Sequence, residues 1–273
     1  YIMYCNASGA SISELFLAGF LPGVLIALCL MIYSYIYCKI HGEDKAKLNA
    51  QWQELRSRGL GTVLKEGFWA LLSPVIILGG IYGGICSPTE AATISIFYSL
   101  IISLFVYRTI KIRDLPKILL EGIHSYAPIL IILSAAVAFA RVITLMNVAS
   151  VVSEAVLSAI SSKVVILLLI NVLLLFVGMI MDTGPAILVF TPVLLPVTEA
   201  LGVDPIHFGI IMCVNLAIGF VTPPMGANLF VASNLSKVSV IEIAKKAVPF
   251  ILAFLVALML ITFIPEISLF LVK

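Results

Sequence analysis

The chain has 273 residues, 62% hydrophobic and 11% charged, with a mean hydropathy of +1.20. Soluble domains carry about 25% charged residues, so the composition excludes a soluble globule and marks an integral membrane protein whose main solvent is the lipid bilayer. The net charge of +2 is uninformative in itself and gives no reason to expect a nucleic-acid partner; where the charges sit is the useful signal.

Several chemistries lack their residues. Cys5, Cys29, Cys38, Cys86 and Cys213 form no CxxC pair and read as small buried hydrophobes. His41, His124 and His207 have no metal-ligand spacing, and neither a Walker A motif nor a nucleotide fingerprint occurs. No organic cofactor, metal centre or bound ATP is expected, and the chain is not expected to be an enzyme. It opens at Tyr1 in mid-pattern, without an initiating Met or a signal peptide, and is expected to be part of a longer protein.

A bilayer crossing needs about 20 apolar residues. In chain order, 15–38, 67–86, 89–107 and 125–146 qualify. An apolar pair follows, 163–181 and 184–200, separated by the turn at Asp182. It reads either as two complete spans or as a re-entrant hairpin. A broken crossing, 208–235, and a last one, 247–271, complete the set. Residues 39–66 read as helices on or near the inner surface, and 148–162 as an amphipathic helix at the outer surface. Basic residues cluster in the 39–66 loop (Lys39, Lys45, Lys47, Arg56, Arg58, Lys65) and the 108–124 loop (Arg108, Lys111, Arg113, Lys117). Two crossings separate these loops, so both fall on the cytoplasmic side by the positive-inside rule. The 236–246 loop then lies inside and residues 1–14 outside, however the pair at 163–200 is counted.

A faint internal repeat links 7–32 with 232–261. Each copy has Ala-Ser, a polar serine-containing loop, an acid, and a Pro opening a long span: Pro22 in one and Pro249 in the other. An odd number of crossings separates them, the arrangement of an inverted repeat.

Three features carry candidate chemistry. Arg141 lies deep in an apolar segment, where a cation needs a partner or water. It reads as an anchor for a carboxylate or as a structural Arg near the interface. Asp182 begins Asp182-Thr183-Gly184-Pro185, a carboxylate and hydroxyl beside freed backbone carbonyls. That oxygen-rich set suits Na⁺ or H⁺, and Asp182 also suits the N-cap of a following helix. The break at Thr222, Pro223, Pro224, Met225 and Gly226 removes two amide protons and restricts two residues away from the helical region. A helix must stop there and resume, exposing one end suited to a cation and another suited to an anion; a plain kink is the simpler reading. Asn215 before the break and Asn228 after it are further lining candidates. Asp204 and Ser87-Pro88-Thr89-Glu90 read as helix starts.

The segments GGIYGGICSPTEAATISIFYSL (79–100), GMIMDTGPAILVFTPVLLPV (178–197), GVDPIHFGIIMCVNLAIGFVTPPMGANLF (202–230) and ELFLAGFLPGVL (14–25) together resemble the large membrane subunit of tripartite ATP-independent periplasmic (TRAP) transporters. The resemblance covers essentially the whole chain. It implies an all-α polytopic fold: an inverted-repeat, elevator-type transporter with a re-entrant hairpin and a Pro-Pro-broken helix. Residues 1–162 would hold scaffold and surface helices with the end of a first repeat. Residues 163–235 would form the transport hairpin and broken helix, and 236–273 a C-terminal scaffold helix. It further implies sodium-coupled import of an organic acid (a C4-dicarboxylate, sialic acid or sugar acid) across a bacterial inner membrane. A small DctQ-like membrane subunit and a periplasmic DctP-like binding protein would be partners. Substrate contacts would come from Arg141, Asn215, Thr222, Pro223, Pro224, Gly226 and Asn228, and Na⁺ contacts from Asp182, Thr183, Gly184 and Thr222. The first-repeat hairpin and break, expected before Tyr1, are not in the sequence. A standalone ion-coupled dicarboxylate carrier or antiporter of the same superfamily is the alternative. An intramembrane enzyme built on Asp182 is disfavoured, since no second acid lies in a comparable apolar segment.

Overall fold

The computed structural model describes residues 1–42, 45–224 and 226–272. Among the described residues every regular element is helical: α1 (Ile2–Ser8), α2 (Ile12–Ala18), α3 (Phe20–His41), α4 (Lys45–Arg58), α5 (Leu60–Tyr82), α6 (Pro88–Ile101), α7 (Leu115–Leu145), α8 (Val148–Ala159), α9 (Lys163–Ile180), α10 (Thr183–Ala200), α11 (Pro205–Gly219), α12 (Ala227–Ser236), α13 (Val240–Phe263) and α14 (Glu266–Leu269). Among the described residues, seven segments are long and apolar enough to cross a membrane: Ile12–Ile40, Gly61–Tyr82, Pro88–Val106, Ile112–Leu145, Lys163–Ile180, Thr183–Ala200 and Val240–Phe263. The broken crossing read at 208–235 resolves into α11 and α12, of 15 and 10 residues, and neither spans alone.

Helix starts follow local chemistry. Ser87 and Glu90 form the expected capping box on α6, with the Glu90 carboxylate accepting from the Ser87 N–H at 2.8 Å. Asp204 accepts from the Ile206 N–H at 2.9 Å and caps α11. The last span differs from its sequence reading. Ser239 caps α13 through the Glu242 N–H, so the helix starts at Val240 and carries Pro249 in its interior. The cap outweighs the one backbone bond that Pro249 forfeits. Pro22 thus lies in the first turn of α3 while Pro249 lies inside α13, and the caps are what the two copies share. Gly9 and Lys237 are left-handed C-caps, and two residues later Ser11 and Ser239 cap α2 and α13 through Glu14 and Glu242.

The chain divides into two compact units. In Tyr35–Pro128, α5 packs against α4 and α6, and the Tyr98 hydroxyl donates to the Trp69 carbonyl at 2.6 Å. The helix α4 occupies the loop expected to hold surface helices.

The second unit, Tyr1–Ser34 with Ile129–Lys273, holds the core. At its centre is α11, with 12 of its 15 residues buried. A helix apolar on all sides needs neighbours on all sides, and α2, α9, α10, α13 and α14 supply them. Tyr4 is fully buried, with its ring over Gly209 and its hydroxyl donating to the Pro205 carbonyl at 2.5 Å. This fixes α1 onto the central helix. The helix expected at 148–162 forms as α8, packed along α10 with Val152 and Val156 against the core. The packing of α13 on α11 and α12 holds these helices in one compact unit.

Candidate functional site

Two chain breaks meet at one end of α9 and α11. The first is the turn Met181–Asp182 between α9 and α10; the second runs from Phe220 to Gly226 between α11 and α12. Gly178 and Gly219, in the last turns of α9 and α11, touch backbone to backbone. A Cβ on Gly219 would overlap the Gly178 peptide, and one on Gly178 would lie 3.1 Å from the Leu216 Cα. Only glycine permits this approach, and it sets the turn at Asp182 level with the second break.

The second break is stitched from within. The Thr222 N–H donates to the Gly219 carbonyl at 3.0 Å, and the Thr222 hydroxyl to the Ile218 carbonyl at 2.7 Å. The Asn228 N–H reaches back to the Phe220 carbonyl at 3.1 Å. The sequence reading points these carbonyls into the gap; the structure pairs them inside the break instead. Gly226 is required at its position, since a Cβ would lie 2.8 Å from the Phe220 oxygen and 2.9 Å from that of Thr222. The Pro223–Pro224 peptide is cis. Met225, which the sequence reading includes in the break, lies outside the described residues.

Asp182 holds the N-cap position of α10 with an extended backbone, yet its side chain makes no capping bond. The carboxylate is exposed and keeps its oxygens for another partner, at a helix end that favours negative charge. Asp182, Thr183 and Gly184 line a cavity of about 350 Å³, with Met3 and Leu133 opposite. Arg141 lines a neighbouring cavity of about 500 Å³ with Asn6, Thr144, Leu188 and Pro192. Met3 and Leu133 belong to both, so the Arg141 cation and the Asp182 carboxylate occupy adjoining hollows along α10. Pro192 has no N–H, so the Leu188 carbonyl in the Arg141 cavity lacks its helical partner.

Asn215 is placed elsewhere. It is fully buried and donates to Asn171 at 2.6 Å and to the Ile211 carbonyl at 2.9 Å. Asn171 donates to the Thr262 hydroxyl at 3.0 Å, and His207 Nε2 donates to the Thr262 carbonyl at 3.3 Å. This polar chain ties α11, α9 and α13 together. Asn228 is exposed on α12. Neither residue lines the cavities of Asp182 and Arg141.

Sequence reasoning missed Met3, Asn6, Asn171 and Thr262. Asn171 carried a usable signal, as a lone amide in LLLINVLLLF. Met3 and Asn6 carried none, because only the packing of α1 on α10 brings them to the site.

The family described as "Tripartite ATP-independent periplasmic transporter, DctM component" matches residues 1–267. The chain is 43% identical over 274 residues to the isethionate TRAP transporter permease protein DctMQ of Oleidesulfovibrio alaskensis, covering 99% of this chain and 42% of that protein. It is 37% identical to the C4-dicarboxylate TRAP transporter large permease protein DctM of Rhodobacter capsulatus, over 96% and 58% of the two chains. It is 34% identical to the sialic acid TRAP transporter large permease protein SiaM of Vibrio cholerae, over 99% and 62%. The chain thus spans 42% to 62% of the length of these relatives.

Proposed function

Since the chain belongs to the DctM component family of tripartite ATP-independent periplasmic transporters, we propose that it forms part of a sodium-coupled permease importing an organic acid across a bacterial inner membrane. A DctP-like periplasmic protein delivers the acid, and a DctQ-like small subunit braces the assembly. The carrying observation is the Gly178–Gly219 contact, which sets the Asp182 turn level with the Thr222–Gly226 break.

Depth follows from helix lengths. The 15 residues of α11 span about 22 Å, and the 10 of α12 about 15 Å, at 1.5 Å per residue. Together, at about 37 Å, they are long enough to cover a hydrocarbon core of about 30 Å, with the break roughly three-fifths of the way along. A hairpin tip level with that break ends inside the bilayer, so α9 and α10 form a re-entrant hairpin. Half of α10 and 39% of α9 are buried in protein, against 6% of Ile112–Leu145, as a hairpin shielded from lipid requires.

Charge assigns the roles. The relatives' names specify isethionate, C4-dicarboxylates and sialic acid, all organic anions. Arg141 offers a bidentate donor fork to a carboxylate or sulfonate. The Asp182 carboxylate and the Thr183 and Thr222 hydroxyls supply hard oxygens for Na⁺. The Thr222 proton is committed to the Ile218 carbonyl, leaving the oxygen's lone pairs for a cation. Gly184, Pro223, Pro224, Gly226 and Asn228 shape the backbone around the substrate, and Asn215 positions α11. Alternating access moves the 163–235 block against the scaffold helices.

The test is uptake of radiolabelled organic acids into proteoliposomes holding the whole assembly, with sulfonates among them. Uptake that needs both a sodium gradient and the binding protein is expected. Uptake that needs neither would favour a standalone carrier.

A further inference from the structure

A third cavity of about 760 Å³ opens where α9 begins, α11 begins and α13 ends, away from the cavities of Asp182 and Arg141. Its volume falls in the range of small-molecule sites, roughly 300–1,000 Å³. Three charged side chains line it: Lys163, Asp204 and Glu266. Phe263, Leu269 and Phe270 make much of the remaining wall apolar.

His207 is the informative residue. It lines this cavity and is only 2% exposed. Its Nε2 faces the Thr262 carbonyl; a carbonyl can only accept, so Nε2 carries the proton and Nδ1 of the neutral ring is an acceptor. That Nδ1 is buried and has no hydrogen-bond partner among the described residues. A buried acceptor without a donor is unfavourable, so the site calls for a ligand that brings an N–H or O–H.

The charges narrow the class. Asp204 and Glu266 favour a cation near His207, and Lys163 favours an anion at the mouth. Both carboxylates count through their charge, although one Asp204 oxygen also caps α11. We propose that this cavity binds a zwitterion carrying a primary ammonium a few atoms from a phosphate, the headgroup chemistry of phosphatidylethanolamine. The ammonium donates to His207 Nδ1 and sits against Asp204, Glu266 and the Phe263 and Phe270 rings. The phosphate pairs with Lys163. The site lies at the ends of membrane-length helices, where headgroups reside, and its apolar wall accommodates the start of an acyl chain. A quaternary choline has no N–H to give and leaves His207 unsatisfied, so the site separates the two commonest zwitterionic headgroups. The inference needs membrane residence but not the identity of the transported acid.

Native mass spectrometry of the purified assembly would test it, with phosphatidylethanolamine and phosphatidylcholine of matched acyl chains in competition. Retention of the ethanolamine lipid about tenfold over the choline lipid is expected. His207→Phe and, with the fold undisturbed at an exposed position, Glu266→Gln should each abolish that preference. Lys163→Gln should weaken both lipids equally, since both carry a phosphate. Displacement by soluble glycerophosphoethanolamine would assign the site to a free zwitterion, and its failure to displace would assign it to the lipid. Equal retention of the two lipids by the unaltered protein would overturn the proposal. So would a preference that survives both His207→Phe and Glu266→Gln. Sodium-driven uptake measured on the same variants tests the transport reading separately.

Discussion

Asn171 and Asn215 each stand alone in an apolar helix, and the Asn215 amide donates to the Asn171 side-chain oxygen. Replacing Asn215 leaves the Asn171 side-chain oxygen buried without its donor, which costs about 1–3 kcal/mol. Replacing both with residues of similar shape removes the need as well as the bond. Asn215→Leu should therefore lower the thermal midpoint in detergent by several degrees, and Asn215→Leu with Asn171→Leu should recover most of it. An additive double variant would mean the two amides do not interact. Polar residues inside apolar runs were legible at Asn215, Asp182 and Arg141. What the sequence could not supply was the partner: Asn171 lies 44 positions from Asn215, and Thr262 lies 91 from Asn171. At the proposed ion and substrate positions the expectations are kinetic. Asp182→Asn removes the charge that favours a cation, so the half-saturating sodium concentration for uptake should rise at least tenfold while saturating sodium restores part of the rate. Arg141→Lys keeps the charge but loses the planar fork, so the apparent substrate affinity should fall about tenfold with sodium dependence unchanged. Interchanged effects would reverse the two assignments.

Element starts and stops divide into those written locally and those imposed by neighbours. The Ser87–Glu90 capping box and the Asp204 cap were readable because each spans at most four residues. The start of α13 is set by the Ser239 and Glu242 pair, ten residues before the proline that the sequence pattern offers as its opening. The break after Gly219 was legible from Pro223 and Pro224, but its internal bonds from Thr222 and Asn228 were not. Those bonds let the break persist in an apolar setting, because each carbonyl taken inside the loop is one less exposed to lipid. Replacing Thr222–Gly226 with leucine and alanine should yield a continuous helix that still inserts and purifies. Uptake should then fall to background. Retained uptake would reduce the break to a structural kink. Gly219→Leu should be worse for folding than for function alone, since its side chain would displace α9 from α11, and protein yield would register that directly.

At the level of the molecule, composition identified the class, and motif order along the chain identified the family, yet neither settled how many times 163–200 crosses the bilayer. The parity of basic loops is the same for zero crossings or two. The proposed re-entrant hairpin leans on the contact between Gly178 and Gly219, which sets the hairpin tip beside the helix break. Two complete spans would place Thr183 in the cytoplasm beside loops such as 108–124. A re-entrant hairpin would hold it inside the protein, about 27 Å of helix from the start of α9 but short of the inner surface. The two arrangements differ in what a bulky thiol reagent can reach. In a background lacking the native cysteines, Lys111→Cys should react rapidly with a large polyethylene-glycol maleimide applied from the cytoplasmic side. Thr183→Cys should react at least tenfold more slowly with that reagent, while a small permeant maleimide modifies both. Equal rates for the large reagent at the two positions would make α9 and α10 full spans. The Asp182 turn would then be a cytoplasmic loop, and the sodium site would have to be sought elsewhere.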